Sequence, residues 1–179
     1  MLHPENASVL FSTEALQSRI AAMGARIATD YAGRELVAVG VLKGSLYFLA
    51  DLTRAIPLPL QVDVISIGMY PGATSQTGVV RITKDLDVDI TGKHVLVVED
   101  IVRTGLTLGY LVQNLESRRP ASVAVCALLA NPAQQLIDIP IAYTGFTVSG
   151  AWLLGYGMDA GERGRNLPYI VEVDKNAKG

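Results

Sequence analysis

Val95-Leu96-Val97-Val98-Glu99-Asp100-Ile101-Val102-Arg103-Thr104-Gly105-Leu106-Thr107 is the stretch whose reading decides the fold. Its opening apolar run is the pattern of a strand buried on both faces. The run ends in two adjacent carboxylates. In open α/β sheets, ligands sit beyond the carboxyl ends of the strands, which is where Glu99 and Asp100 stand. A short loop follows, and then Leu108, Leu111, Val112 and Leu115 recur at the spacing of one helix face. Between acids and helix, residues 103–107 can turn successive backbone N–H groups inward as an anion nest at the positive helix end. Gly105 allows close backbone approach, and the Thr104 and Thr107 hydroxyls add donors. A phosphate held there leaves the carboxylates a few ångströms behind, placed for ribose hydroxyls or a hydrated Mg²⁺. Taken singly, an acidic pair is often a solvated turn, and Thr-Gly before a helix is often a cap. Strand, Glu-Asp, Thr-Gly-x-Thr and helix in register point instead to a bound phosphate.

Outward from this segment, strand and helix patterns alternate. Ser12 and Thr13 are N-cap candidates, with Glu14 suited to the helix dipole. Leu16, Ile20, Met23 and Ile27 follow at helical spacing, and Gly33 is the expected terminator. Strands are expected over residues 36–42, 62–67, 79–83, 94–98 and 122–129, and helices over 46–52 and 106–117. Residues 70–78 are small, polar and glycine-bearing, which predicts a long functional loop. Past Asn131-Pro132, short strand-like pieces at 141–146, 152–156 and 169–173 read as an appendage on the sheet. The expected class is α/β: a parallel sheet flanked by helices. One domain is expected over 1–179, its core roughly 13–138 and a small C-terminal hood roughly 139–179 joined by the N-terminal segment.

Composition narrows the partners. Half of the 179 residues are hydrophobic and 18% are charged, which suits a buried sheet and argues against disorder. The formal net charge of −2 lacks the basic excess of a nucleic-acid binder, so a small-molecule ligand is favoured. Cys126 is the only cysteine, so no intrachain disulfide forms, and a reducing, cytoplasmic location is expected. The first residues lack a signal-peptide pattern, and no apolar run reaches the roughly 18 residues that span a bilayer. No His/Cys cluster suggests a transition metal. Trp152 is expected to pack inside the hood.

The central segment resembles the signature by which type I phosphoribosyltransferases bind 5-phosphoribosyl-1-diphosphate (PRPP). The resemblance narrows to the hypoxanthine-guanine branch. Val41-Leu42-Lys43-Gly44 is similar to that branch's pyrophosphate loop. Lys84-Asp85-Leu86-Asp87 with Gly92-Lys93 leads into the PRPP strand as in bacterial members. Gly145-Phe146, Gly155-Tyr156-Gly157-Met158-Asp159 and Arg165-Asn166-Leu167-Pro168-Tyr169 are similar to its C-terminal part. The resemblance implies a flavodoxin-like core with a hood that holds the purine. It implies transfer of ribose 5-phosphate from PRPP to N9 of a 6-oxopurine, with Mg²⁺, releasing pyrophosphate, in purine salvage. Glu99 and Asp100 then match the acidic pair for ribose and Mg²⁺. Thr104, Gly105, Leu106 and Thr107 match the 5′-phosphate loop, and Lys43 and Gly44 the pyrophosphate loop, with a cis peptide between Leu42 and Lys43. Arg165 matches an arginine near the pyrophosphate. Tyr143, with the adjacent Thr144, matches the purine side, Tyr143 as the stacking aromatic. Tyr70 matches the tyrosine of a loop that closes over the transition state. The resemblance also implies a homodimer or homotetramer, since family members are commonly dimers or tetramers.

Four positions depart from that pattern. Arg103 stands where the family has the aspartate that accepts the purine proton. Arginine has no acceptor and stays protonated. Losing a general base costs about 10²–10⁴ in rate. Asn131 stands where a lysine donates to the exocyclic oxygen, Gly150 where an aspartate is expected, and Met69 where serine precedes the loop tyrosine. The phosphate nest, the acidic pair and Lys43-Gly44 remain. Two readings follow: a purine phosphoribosyltransferase with altered base handling, or a catalytically silent paralogue that binds PRPP or a purine nucleotide as a sensor or partner subunit.

Overall fold

The computed structural model describes residues 7–69, 80–150 and 152–173. The chain runs β1 (Ala7–Phe11), α1 (Thr13–Asp30), β2 (Leu36–Leu42), α2 (Leu46–Ala55), β3 (Gln61–Met69), β4 (Val80–Lys84), β5 (His94–Val102), α3 (Leu106–Glu116), β6 (Ser122–Ala130), β7 (Tyr143–Thr147), β8 (Trp152–Leu154) and β9 (Ile170–Val173). Six strands form the main sheet in the order β4-β3-β2-β5-β6-β7. All neighbours in it are parallel except β4, which returns antiparallel along β3.

The central strands are buried on both faces, and side-chain alternation sorts them between two cores. Ala38, Leu96 and Val98 face α1 and α2, packing with Leu16, Ile20, Ile27, Phe48 and Leu52. Val37, Val39, Val95 and Val97 face α3, packing with Leu108, Leu111 and Leu115. Each fully buried Leu or Val contributes about 2 kcal/mol of transfer free energy. The Ser12 side chain caps α1 by accepting the Ala15 N–H at 3.2 Å.

A second, antiparallel sheet, β1-β9-β8, forms the hood. The N-terminal strand β1 belongs to it, paired antiparallel with β9. Phe11 stacks on Phe146 with ring centroids 4.2 Å apart, which ties β1 to β7. The hood begins later than the sequence suggests. β7 is a parallel edge strand of the main sheet, in register from Cys126↔Tyr143 to Ala130↔Thr147, so the core runs to Thr147. A short, glycine-bearing edge strand lacks the apolar run that marks a central strand, which is why it reads as an appendage.

The parallel strands all end on one side of the sheet. Glu99, Asp100, Lys43 and the residues after β6 meet there. The loop of residues 70–78, with Tyr70, lies outside the described residues; Met69 ends β3.

Candidate active site

β5 continues past the acidic pair to Val102, so Glu99 and Asp100 are held by sheet hydrogen bonds rather than by a loop. Oε2 of Glu99 is buried and has no hydrogen-bond partner. Burial pushes the Glu99 carboxyl well above its ordinary range, and the neighbouring Asp100 charge adds to the rise. Burial raises Asp100 too, against the opposing pull of backbone N–H groups and of the Arg165 and Arg103 charges. Its Oδ1 accepts the Ile101 N–H at 2.9 Å. Two adjacent, desolvated carboxyls with an open acceptor form a site that favours a cation or hydroxyl donors.

Directly after them the chain makes the nest. Gly105 takes a left-handed conformation, φ 80°, at the start of α3. A side chain there meets both that backbone penalty and Ile137 and Ile139, 3.2 Å from where its Cβ would lie. No side chain caps α3, and its first turn carries no acid. The first helical amide with a backbone acceptor among the described residues is that of Gly109, which donates to Gly105 O at 2.7 Å. The amides of Leu106, Thr107 and Leu108 are left for an anion. The concavity in front of them is lined by Glu99, Arg103, Thr104, Gly105, Thr107 and Leu108, among others.

The loop after β2 closes the opposite side. The Leu42–Lys43 peptide is cis, as expected. Gly44 faces Asp100: a Cβ there would overlap its carboxylate. The hood reaches this loop through Gly157, where a Cβ would overlap the Gly44 carbonyl. Arg165 holds that turn in place, donating from Nη1 to Gly157 O at 2.8 Å and pairing with Asp159 at 2.8 Å. Lys43 pairs with Glu162 at 2.9 Å. The hydrogen bond from Lys43 holds the Glu162 carboxyl below its usual range. Tyr156 donates to Asp51 of α2 at 2.5 Å, fixing the hood to the core.

The phosphoribosyl transferase domain family matches residues 7–160. The chain belongs to the phosphoribosyltransferase family. Its relatives place it in the hypoxanthine-guanine branch. The hypoxanthine-guanine phosphoribosyltransferase of Mycobacterium tuberculosis is 46% identical over 173 residues, 93% of this chain and 86% of that protein. A crystal structure of a hypoxanthine-guanine phosphoribosyltransferase from Bacillus anthracis superposes with a TM-score of 0.89 at 41% identity, over 93% of this chain and 98% of the other. A hypoxanthine phosphoribosyltransferase from Staphylococcus aureus superposes with a TM-score of 0.93 at 38% identity, over 98% and 96%.

Within this phosphoribosyltransferase, Glu99, Asp100, Arg103, the nest at 104–107, Lys43, Gly44 and Arg165 gather at one edge of the sheet. Arg103 makes no hydrogen bond or salt bridge among the described residues, although Asp100 feels its charge. Asn131 follows β6, beside Val102, whose carbonyl accepts its backbone N–H at 2.9 Å; its Oδ1 is buried without a partner. Tyr143 is elsewhere, which corrects its reading as the stacking aromatic. It sits at the start of β7, buried in the α1 core, and its hydroxyl donates to Asp30 at 2.7 Å at the far end of α1. Arg26 covers its ring at 5.0 Å from the centroid. Thr144 points to the opposite face of the same edge strand and is exposed. Gly150 lies at an exposed bend with open space around it, so the carboxylate expected there is not part of the site. The hood carboxylate beside Arg165 is Asp159, and the resembling stretch Gly155-Tyr156-Gly157-Met158-Asp159 was the signal that could have found it. Trp152 is 51% exposed, not packed within the hood. It opens β8, the strand that leads into the Gly157 turn.

Proposed function

We propose that the protein transfers the 5-phosphoribosyl group of PRPP to N9 of hypoxanthine or guanine and releases pyrophosphate, a purine-salvage reaction. The observation that carries this reading is the opposition of Gly44 and Asp100 above a nest whose amides have no other acceptor. One ligand that joins a phosphate, a ribose and a diphosphate fills all three parts at once. The 5′-phosphate takes the amides and hydroxyls of residues 104–107. Glu99 and Asp100 accept from the ribose hydroxyls. The diphosphate lies towards Lys43 and Gly44, with Arg165 close behind. On the base side, Trp152 offers an exposed ring for stacking and Asn131 an amide at the strand end.

Mg²⁺ fits this donor set. The pair presents hard oxygen donors and a buried, unpartnered Glu99 Oε2. Among the described residues no three His, Cys, Asp or Glu side chains gather as a metal cage. That suits an ion bound through one or two carboxylates plus substrate oxygens. Glu99 and Asp100 would hold it, and when bound it supplies charge neutralisation for the departing diphosphate. The protein's own part is positioning: a fixed phosphate, a fixed ribose and a water-poor acidic pair orient C1′ towards the base.

The proposed setting is the cytoplasm, and the proposed assembly is a homodimer or homotetramer. No helix of the described residues is long and apolar enough to cross a membrane. The catalytically silent alternative draws nothing from the relatives, whose names are those of transferases. A spectrophotometric assay with PRPP, Mg²⁺ and hypoxanthine or guanine tests the proposal. Nucleotide and pyrophosphate in equal amounts are expected. No nucleotide from any purine would overturn it.

A further inference from the structure

Joining a neutral purine to ribose through N9 must dispose of one ring proton. The N9–C1′ bond forms, the C1′–oxygen bond breaks, and its electron pair leaves with the diphosphate. A side chain that takes the proton needs a free lone pair in the base end of the pocket. The concavity in front of the nest carries the polar side chains of Glu99, Arg103, Thr104 and Thr107, and it adjoins the base side where the Val102 carbonyl, next to Arg103, accepts the Asn131 N–H at 2.9 Å. Hydroxyls are poor bases, and the transfer reading commits Glu99 to the ribose hydroxyls and the cation. Arg103 carries only donors and offers no lone pair.

Among the described residues of the site, Arg103 is also the unspent cation. Lys43 is paired with Glu162 at 2.9 Å and Arg165 with Asp159 at 2.8 Å. The Arg103 guanidinium has no such partner among the described residues. Glu99 lines the same concavity, and Asp100 feels both the Arg103 charge and that of Arg165; Arg165 in turn is closed into a network with Asp159, Glu162 and Lys43. The first turn of α3 adds none. The segment packed behind Gly105 adds Asp138, which is exposed and forms no ion pair with it. Asn131, on the adjacent strand end, is neutral. Its unpartnered Oδ1 can accept from an N–H that a bound base retains.

We infer that Arg103 is a specificity-determining residue that selects the purine as its monoanion. The inference rests on the transfer reading above. The base gives its proton to solvent before the chemical step. Purine anion and PRPP then yield nucleotide and diphosphate, with no proton moving inside the site. The guanidinium stabilises the anion by a charge-assisted hydrogen bond and disfavours a ring protonated on the side facing it. Purines that ionise near neutrality are therefore favoured. Xanthine, which loses its first proton more readily than hypoxanthine or guanine, becomes the preferred base.

The test is the pH dependence of kcat/KM for xanthine, hypoxanthine and guanine with PRPP and Mg²⁺, beside ultraviolet spectra of bound xanthine. For each base the rate constant should climb about tenfold per pH unit and level off at that base's own ionisation, so the inflection moves with the base. Bound xanthine should show the spectrum of its anion below the pH at which free xanthine ionises. Arg103→Asp should lower kcat/KM for xanthine at least tenfold and raise that for hypoxanthine. Arg103→Gln, closer in size and uncharged, should lose the anion spectrum while circular dichroism shows the fold retained. One inflection common to all three bases, or a neutral spectrum for bound xanthine with hypoxanthine preferred, would overturn the inference and leave the transfer reading standing. No nucleotide from any base at any pH would overturn both.

Discussion

Gly44 lies so close to the carboxylate of Asp100 that no side chain fits between them. The loop after β2 is therefore set directly against the Asp100 carboxylate. Gly44→Ala should push the loop away from Asp100. A displacement on the order of 1 Å costs about 10²-fold in rate, so kcat/KM for PRPP should fall by about that factor. Thermal unfolding should change little, since Gly44 lies in the loop at the rim of the sheet. An Ala variant with full activity would show that loop and acid are not held in a fixed relation.

The nest makes a separate claim. Thr107→Ala removes one hydroxyl donor to a charged phosphate, a bond worth about 1.5–3 kcal/mol. Calorimetry with PRPP and with GMP should show both affinities reduced by about tenfold or more. Binding of a purine nucleoside without phosphate should not change. Combined with Asp100→Ala, PRPP binding should be lost from the measurable range. Unchanged affinity in the double variant would place the phosphate elsewhere.

Trp152 and Tyr143 separate the two ends of β7 and the hood. Trp152→Ala removes an exposed ring, and base–aromatic stacking is worth about 1–3 kcal/mol. KM for the purine should rise about tenfold while PRPP affinity stays near its original value. Tyr143→Phe deletes the hydroxyl that serves Asp30. It should leave the purine KM alone and cost about 1 kcal/mol of stability. The reverse pattern, a purine KM that follows Tyr143, would contradict the site as described.

Acid sensitivity should be traceable to Asp63. This buried carboxylate accepts the N–H groups of Val64 and Asp87 at 2.7 Å and of Val88 at 2.9 Å, with Lys84 at 3.7 Å. Burial alone raises its pKa, but those donors and the Lys84 charge outweigh it and hold the carboxyl below its ordinary value. A depressed folded pKa contributes stability that is present above the unfolded value and lost as pH falls through the folded one. The loss should set in below about pH 4. Glu99 and Asp100, both raised, act in the opposite sense. Asp63→Asn should therefore cost about 2 kcal/mol in urea at neutral pH, and the gap to the original protein should shrink in acid. A constant gap across pH would assign the acid sensitivity to other groups.

Legibility in the sequence followed burial and contiguity. β2 and β5 are continuous apolar runs because both their faces are covered, and the structure makes them adjacent central strands. β7 is short, has one exposed face and carries a glycine, so it lacks that signal. The proposed phosphate half was legible as a unit because its strand end, glycine turn and helix start form one continuous stretch. The base half was not. Its candidates, Trp152, Asp159 and Asn131, stand in separate segments, and the direction of Trp152 depends on strand register. Tyr143 and Thr144 are consecutive and point to opposite faces, so placing Tyr143 required the pairing with Cys126.

In the proposed reading the nest at residues 104–107 grips mainly with main-chain amides, which nearly every amino acid supplies. The opposite end of the pocket speaks through individual side chains. The protein is thus an adaptor with one constant socket and one exchangeable face. Single substitutions at the exchangeable face can retune which nucleobase is salvaged while the proposed sugar-phosphate grip and the buried core around β5 stay untouched. Diversification of such a scaffold proceeds by changing the cargo it accepts rather than by rebuilding the handle.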